Sequence, residues 1–386
     1  MRIFLVALLS IPMFAMGGET GKASALDGIW QGTIGKQAVM ACVAQGAGSY
    51  FYLRYSQAIP LSLQDEKELV LAEGPKGSPT GFWRMKSVGG DAVDGTWSDK
   101  SRVRSAPIRL VRFKRLSAEH SSGCGSYMLD KRVQLQKISV GKVSALSGKR
   151  YKKLSASDGN VTSIELLEPG AAIEELNTRL RNELSLNMSE YFACPTEGMG
   201  INGKDGAEEK PDFSSEIAPV FWNDRWITFL QNGSGNCGGA HPYSGFSYTT
   251  WNLATGELVN PWTWIAHSRK KDASPEYDKY YFNYSAPEEL NKIIVAKAVK
   301  ARLLFNPKEA QEDPNCLDIL TENTEYQLSL GTRGLVFSHN FPHVALACDD
   351  NIEIPYAKLS AFLTKEGKAA VKSIMESTSK NAGGPR

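Results

Sequence analysis

The stretch from Gln231 to Ile265, QNGSGNCGGAHPYSGFSYTTWNLATGELVNPWTWI, decides the fold of the second half of this chain. A glycine-rich segment leads into an aromatic strand, a turn at Thr255-Gly256 and a further strand. Because glycine adopts backbone angles closed to other residues, a sharp excursion around Cys237 and His241 costs little. Loops that a rigid sheet holds in this way often contact ligands. The stretch therefore predicts a sheet that carries a binding loop.

The same stretch carries a resemblance to a known family. It includes the run Gly238-Gly239-Ala240-His241-Pro242 and the segment from Asn252 to Glu257, with Ile354-Pro355-Tyr356 and Leu359 farther along the chain. Over residues 129–374 the chain resembles the extracellular C-terminal domain family shared by the anti-sigma factor RsiV and the peptidoglycan deacetylase PdaC. The resemblance implies an α+β fold and an envelope protein that binds a partner, as the RsiV domain binds lysozyme. It supplies no catalytic residues.

The relatives also contain parts that have no counterpart in this sequence. We find neither the cytosolic sigma-binding segment and membrane helix of RsiV nor the Asp and His motifs of the PdaC catalytic domain. Signal transduction and deacetylation are therefore not expected of this chain.

The candidate binding residues all lie in the glycine-rich loop. His241 and Tyr243 offer apolar area together with hydrogen-bonding groups, and Pro242 fixes the chain between them. The set is Gly238, Gly239, Ala240, His241, Pro242 and Tyr243. An equally weighted alternative is that His241 braces the loop and contacts no ligand. We predict no catalytic residue, metal site or cofactor.

The chain divides by composition into five segments. We predict a signal peptide over 1–25, an all-β domain over 26–116, a linker over 117–128, an α+β domain over 129–376 and a disordered tail over 377–386. The predicted fold class is α+β: a small all-β barrel or sandwich, then a mostly antiparallel sheet packed by two amphipathic helices. One of these helices is expected from Ala171 to Tyr191, where Leu176, Leu180 and Leu184 recur at helical spacing.

The N-terminus has the features of a secretory signal. Arg2 precedes an apolar run from Ile3 to Met16, and Ala23 and Ala25 occupy the small-residue positions of a cleavage site. The run is shorter than the ~20 residues that a spanning helix needs. We therefore predict a periplasmic or secreted protein with no integral membrane segment after cleavage.

All six cysteines lie in the exported part of the chain, which favours disulfides, although six cysteines allow fifteen pairings. We predict Cys42 with Cys124 to close the β domain, Cys194 with Cys237 to tether the glycine-rich loop, and Cys316 with Cys348 to join the last strands.

His339 and His343 have the spacing of metal ligands on a helix. However, Pro342 lies between them and the flanking pattern is that of a strand, so a metal site is not expected there.

Three Gly-x-Trp triplets occur in the all-β domain, at Trp30, Trp83 and Trp97. Their tryptophans are predicted to fill the core, because Trp dominates small cores; the alternative is a barrel mouth that stacks on a ligand. The net charge of +2 gives no electrostatic basis for nucleic acid binding.

These observations together predict an exported envelope binding protein. Its expected partner is lysozyme or another cell-wall hydrolase, or a peptidoglycan-type glycan. One alternative is an envelope hydrolase that uses the glycine-rich loop and His241, and another is a structural module of an envelope assembly.

Overall fold

The computed structural model of the protein describes residues 25–114, 123–156, 159–194, 212–237, 241–270, 284–305, 314–339, 341, 345, 348 and 350–382. The described chain forms two compact units, one ending at Arg132 and the other beginning at Val133. The predicted signal peptide, apart from Ala25, lies outside the described residues. No helix in these ranges is long and apolar enough to cross a membrane.

The first unit is a closed antiparallel barrel of eight strands. Each strand pairs with the next along the chain, and β8 pairs with β1 to close the barrel. The strands are β1 Gly28–Ile34, β2 Gln37–Ala44, β3 Ala47–Tyr52, β4 Ile59–Asp65, β5 Val70–Glu73, β6 Gly81–Gly89, β7 Ala92–Asp99 and β8 Ser105–Lys114. The predicted fold class is therefore confirmed, with a barrel as its first part.

Strand β4 contains a proline, Pro60, as its second residue. Pro60 has no backbone N–H to donate, and this argues against a strand. Pro60 lies just beyond the paired part of β4 and β5, which begins at Leu61 opposite Glu73, and its carbonyl accepts from the Gly74 amide at 2.9 Å. Short strands and tight turns let eight strands close within residues 28–114.

Side chains fill the barrel interior, and the tryptophans of the Gly-x-Trp triplets are among them, as predicted. Trp30 and Trp83 are fully buried, and Trp97 packs against the same core. Arg112 lies over the Trp30 ring, 4.1 Å from its centroid, and Trp30 Nε1 donates to Leu26 O at 2.7 Å. Aromatic packing therefore closes the barrel around a solid core.

A buried carboxylate sits within this core. Glu73 accepts hydrogen bonds from Tyr50 Oη at 2.8 Å and from Trp97 Nε1 at 2.6 Å. Thr80 Oγ1 donates to it at 3.1 Å and Trp83 Nε1 at 3.4 Å. Burial, and then the Glu73 charge, raise the pKa of the Tyr50 hydroxyl above its ordinary value. Tyr50 therefore stays a neutral donor to Glu73.

Helix α1, Gly123–Gln134, follows the barrel. It includes positions 123–128 of the segment predicted as a linker, and positions 117–122 lie outside the described residues. Two bonds hold this helix to the barrel: the Cys42–Cys124 disulfide and the hydrogen bond from Arg132 Nε to Ser56 O at 2.6 Å. Long-range contacts thus impose a helix on a glycine-containing segment of low propensity.

The second unit contains a seven-stranded sheet in the order β15-β14-β13-β12-β11-β10-β9. Its strands are β9 Ser139–Leu146, β10 Lys149–Ala156, β11 Val161–Leu166, β12 Phe213–Trp222, β13 Trp226–Gly235, β14 Tyr243–Asn252 and β15 Glu257–Val259. Only β11 and β12 are parallel among the described pairs of this sheet. Helix α2, Ala171–Ala193, covers one face with the predicted stripe of Leu176, Leu180 and Leu184.

A five-stranded sheet in the order β16-β17-β18-β19-β20 completes the unit. Its strands are β16 Arg269–Lys270, β17 Tyr284–Ser285, β18 Glu325–Leu330, β19 Gly334–Ser338 and β20 Asn351–Pro355. The helices are α3 Glu288–Phe305, α4 Pro314–Glu322, α5 Tyr356–Leu359 and α6 Lys365–Ala382. Because α6 continues to Ala382, the disorder predicted from residue 377 is wrong up to that residue; positions 383–386 lie outside the described residues.

Candidate functional site

Much of the glycine-rich stretch belongs to two paired strands. Strand β13 continues to Gly235 and β14 resumes at Tyr243, so that Gly235 and Tyr243 are cross-strand partners. The Cys194–Cys237 disulfide attaches the loop to the end of α2, which is the expected pairing. The two remaining bridges, Cys42–Cys124 and Cys316–Cys348, are also the expected pairs.

The predicted binding residues are only partly described. Gly238, Gly239 and Ala240 lie outside the described residues, whereas His241, Pro242 and Tyr243 are exposed. His241 lines none of the three cavities of the second unit, and Tyr243 lines one. Ligand binding by His241 stays a prediction, because the cavities are lined by other residues.

The largest of these cavities, the sheet groove, has a volume of about 550 Å³. It crosses strands β10 to β14 and ends at His339 and Asn351 beside β19 and β20. Its polar lining side chains are Lys153, Asn160, Thr162, Ser214, Ser215, Glu216, Asn232, Ser234, Ser244, Tyr248, His339 and Asn351. The volume lies within the range of ligand sites, ~300 to 1,000 Å³.

Charge within the sheet groove is paired. Lys153 Nζ lies 2.7 Å from Glu216 Oε1, and these two are the only Lys, Arg, Asp or Glu side chains of the described lining. The Phe246 and Tyr248 rings pack edge to face at 5.6 Å, and Tyr248 Oη shares a hydrogen bond with Ser338 Oγ at 3.2 Å. Burial raises the pKa of the Tyr248 hydroxyl, which keeps it neutral. The lining thus combines hydroxyls and amides with an aromatic surface.

Three buried polar atoms belonging to residues of this lining have no hydrogen-bond partner among the described residues: Thr162 Oγ1, Ser244 Oγ and His339 Nε2. Thr162 is 3% exposed and His339 is fully buried. Native proteins pair most buried polar atoms, and an exception calls for an explanation such as a ligand or an ordered water. Their concentration at one cavity marks it as the candidate binding site.

His339 is oriented by its neighbours. Its Nδ1 lies 3.1 Å from the carbonyl oxygen of Asp350, and the ring stacks on Phe341 at 5.1 Å. Burial lowers the pKa of the His339 imidazole, and the Asp350 contacts oppose that shift only in part. Burial likewise raises the pKa of the Asp350 carboxyl, while Arg302, 3.5 Å away, opposes this. The imidazole is therefore neutral, and among the described residues its Nε2 atom has no hydrogen-bond partner.

Two smaller cavities lie between α2 and the opposite face of the same sheet. One has a volume of about 220 Å³ and reaches from Asn187 and Glu190 to Tyr243; we call it the helix pocket. The other, about 260 Å³, lies farther along α2 beside Glu183 and Trp251, and both are lined by Gln231. The helix pocket and the sheet groove therefore flank the same strands.

Sequence reasoning missed most of the sheet groove. In the sequence, His339 is considered only as a metal ligand together with His343, and His343 lies outside the described residues. A usable signal was present in β13 and β14, where Asn232 and Ser234, and Ser244 and Phe246, alternate with glycines. Among the described residues no group of three or more His, Cys, Asp or Glu side chains could hold a metal ion.

Comparisons with known proteins add little about function. No family model matches this sequence, and no curated protein matches it. A DUF3298 family protein from Pseudomonas aeruginosa PAO1 is similar in structure, with 12% identity, 60% of this chain and 94% of that chain covered, and a TM-score of 0.31. A member of the DUF3298 family from Bacteroides fragilis NCTC 9343 has 14% identity, 78% and 98% coverage, and a TM-score of 0.30. We transfer no ligand or activity from either protein.

Proposed function

We propose that this protein is an exported envelope protein that binds a cell-wall glycan in the sheet groove. The observation that supports this most directly is the set of buried polar atoms at this cavity that have no hydrogen-bond partner among the described residues. A sugar hydroxyl both donates and accepts, so it can pair with a threonine or serine hydroxyl and with a histidine nitrogen alike. The near-neutral lining suits a hydroxyl-rich ligand better than a polyanion.

Two further observations support this proposal. The Phe246 ring offers an apolar surface of the kind on which sugar rings pack, in a cavity that already holds amides and hydroxyls. Three disulfides and an N-terminal secretory pattern favour an oxidising compartment, such as the periplasm or the exterior of the cell. Lysozyme or another wall hydrolase stays the partner that the family resemblance predicts.

Replacing Thr162 with valine separates a ligand contact from a structural role. Because Thr162 Oγ1 has no partner among the described residues, Thr162→Val should leave the melting temperature unchanged or raise it. The same variant should weaken glycan binding by roughly fivefold, since it removes one hydrogen bond worth about 1 kcal/mol. Calorimetric titration with purified glycan strands and thermal unfolding measure the two quantities.

Thr228 provides the matched control in the same sheet. Its hydroxyl is buried and shares a 2.9 Å hydrogen bond with Thr250, and neither residue lines the groove. Thr228→Val should destabilise the protein by about 1 to 3 kcal/mol and leave glycan affinity unchanged. If the Thr162→Val protein binds glycan strands like the wild type, or if wild-type protein binds purified lysozyme and no glycan, the proposal is wrong.

A further inference from the structure

The helix pocket is a separate cavity with its own polar and apolar groups. It lies on the face of β12 to β14 that carries Phe213, Gly235 and Tyr243, which are neighbours across the three strands. The Tyr243 ring bounds the pocket on one side, and Asn187 and Glu190 of α2 bound it on another. The volume of about 220 Å³ is below that of a drug-sized site, so the pocket suits one small group.

Two facing glycines create the space in this pocket. Gly233 and Gly245 are cross-strand partners and both line it. A Cβ atom added at Gly245 would meet nothing within 4 Å, and one added at Gly233 would meet only Ser214 O at 3.5 Å. A side chain at Gly245 would therefore project into the gap between the sheet and α2 without displacing protein atoms.

Among the polar groups that line the pocket, helix α2 contributes an amide, Asn187, and a carboxyl, Glu190. Asn187 is 5% exposed, and its Nδ2 has no acceptor among the described residues. Glu190 is an exposed residue at the mouth of the pocket, and none of the described ion pairs includes it. Burial raises the pKa of the Glu190 carboxyl, and this group remains an acceptor through its unprotonated oxygen in either state. A buried amide donor thus lies near a carboxyl acceptor.

We propose that the helix pocket binds the acetamido group of an N-acetylated amino sugar. The acetamido carbonyl accepts from Asn187 Nδ2, and the acetamido N–H donates to Glu190. The methyl group packs against the Phe213 and Tyr243 rings, over the surface that Gly245 leaves open. A free carboxylate ligand fits less well, because Glu190 would repel it.

This inference does not depend on glycan binding in the sheet groove. Thr162 and His339 line only the sheet groove, while Asn187, Glu190 and Tyr243 line only the helix pocket. The two sites flank the same strands from opposite faces. Variants of these five residues therefore test the two proposals separately, whereas Gly245 lines both cavities and its variant is interpreted together with Asn187→Leu.

The test uses methyl N-acetyl-β-glucosaminide as probe and methyl β-glucoside, which has no acetamido group, as control ligand. Titration of the full chain by NMR should show the N-acetylated sugar binding at least about tenfold more tightly than the glucoside. Asn187→Leu removes the donor at similar size, and Gly245→Val fills the space; each should reduce binding of the N-acetylated sugar by roughly tenfold or more.

Gly125 supplies the matched control, since a Cβ atom there also meets nothing within 4 Å but lies in α1 of the other unit. Gly125→Val and Thr162→Val should both bind the N-acetylated sugar like the wild type. Equal affinity for the two sugars overturns the proposal. So does wild-type affinity in a Gly245→Val protein whose melting temperature shows that it is folded. Loss of binding in Thr162→Val would assign the sugar to the sheet groove and overturn it as well.

Discussion

Replacing both Cys42 and Cys124 with alanine is expected to lower the free energy of unfolding of the first unit by roughly 4 kcal/mol. The disulfide joins residues 82 positions apart, so it removes a large amount of loop entropy from the unfolded chain. It also anchors α1 to β2, because Cys42 is a fully buried residue of β2. Its neighbours in sequence, Ala41 and Val43, belong to the barrel core. Urea unfolding followed by tryptophan fluorescence measures the change.

The third disulfide provides the comparison. Cys316 and Cys348 are 32 positions apart and belong to the second unit, so their replacement by alanine should destabilise that unit and leave the barrel transition in place. A change below about 1 kcal/mol in the Cys42/Cys124 variant would show that noncovalent contacts suffice to hold α1. The bond from Arg132 to Ser56 would then be the contact to remove next.

Replacing Glu73 with alanine should destabilise the barrel by about 3 kcal/mol or more. The carboxylate is 7% exposed and accepts from Tyr50, Trp97, Thr80 and Trp83. Without it, the Trp83 and Trp97 indole N–H groups lose their acceptor and the Tyr50 hydroxyl keeps only its hydrogen bond with Tyr52. Each unmet buried donor costs about 1 to 3 kcal/mol. Chemical denaturation measures the loss, and tryptophan fluorescence reports the changed surroundings of the indoles.

Glu68 is the matched control, because it is an exposed glutamate in the turn before β5. Glu68→Ala should change stability by no more than about 0.5 kcal/mol. Glu73→Gln keeps one acceptor oxygen but points an NH₂ group at the remaining donors, so its destabilisation should be intermediate. If Glu73→Ala is as stable as Glu68→Ala, the four hydrogen bonds do not stabilise the barrel.

The sequence predicts the elements whose pattern is local. Helix α2 follows from the spacing of Leu176, Leu180 and Leu184, since that spacing alone places them on one face. Helix α1 does not follow, because Cys124 and Arg132 hold it through distant contacts at Cys42 and Ser56. Strand propensity likewise gives no reason to extend β13 to Gly235, where pairing with β12 and β14 decides the conformation.

The candidate sites are less predictable still. Thr162 and His339 come from segments far apart in sequence, and only the folded second unit brings them to one cavity. The helix pocket depends on an absence of side chains at Gly233 and Gly245, which in the sequence is typical of a turn. Conversely, the loop residue His241 has a conspicuous sequence context, yet it lines neither cavity.

The closure of the barrel also sets the order in which it can fold. Ile29 pairs with Lys114 across the seam between β1 and β8, whereas every other seam joins strands consecutive along the chain. Hairpins form within about 1 to 10 microseconds, and contacts between distant segments form more slowly. The seam is therefore the last part of the barrel to form. Until it does, β1 and β8 are open edges that can pair with other chains, so refolding competes with aggregation at this step.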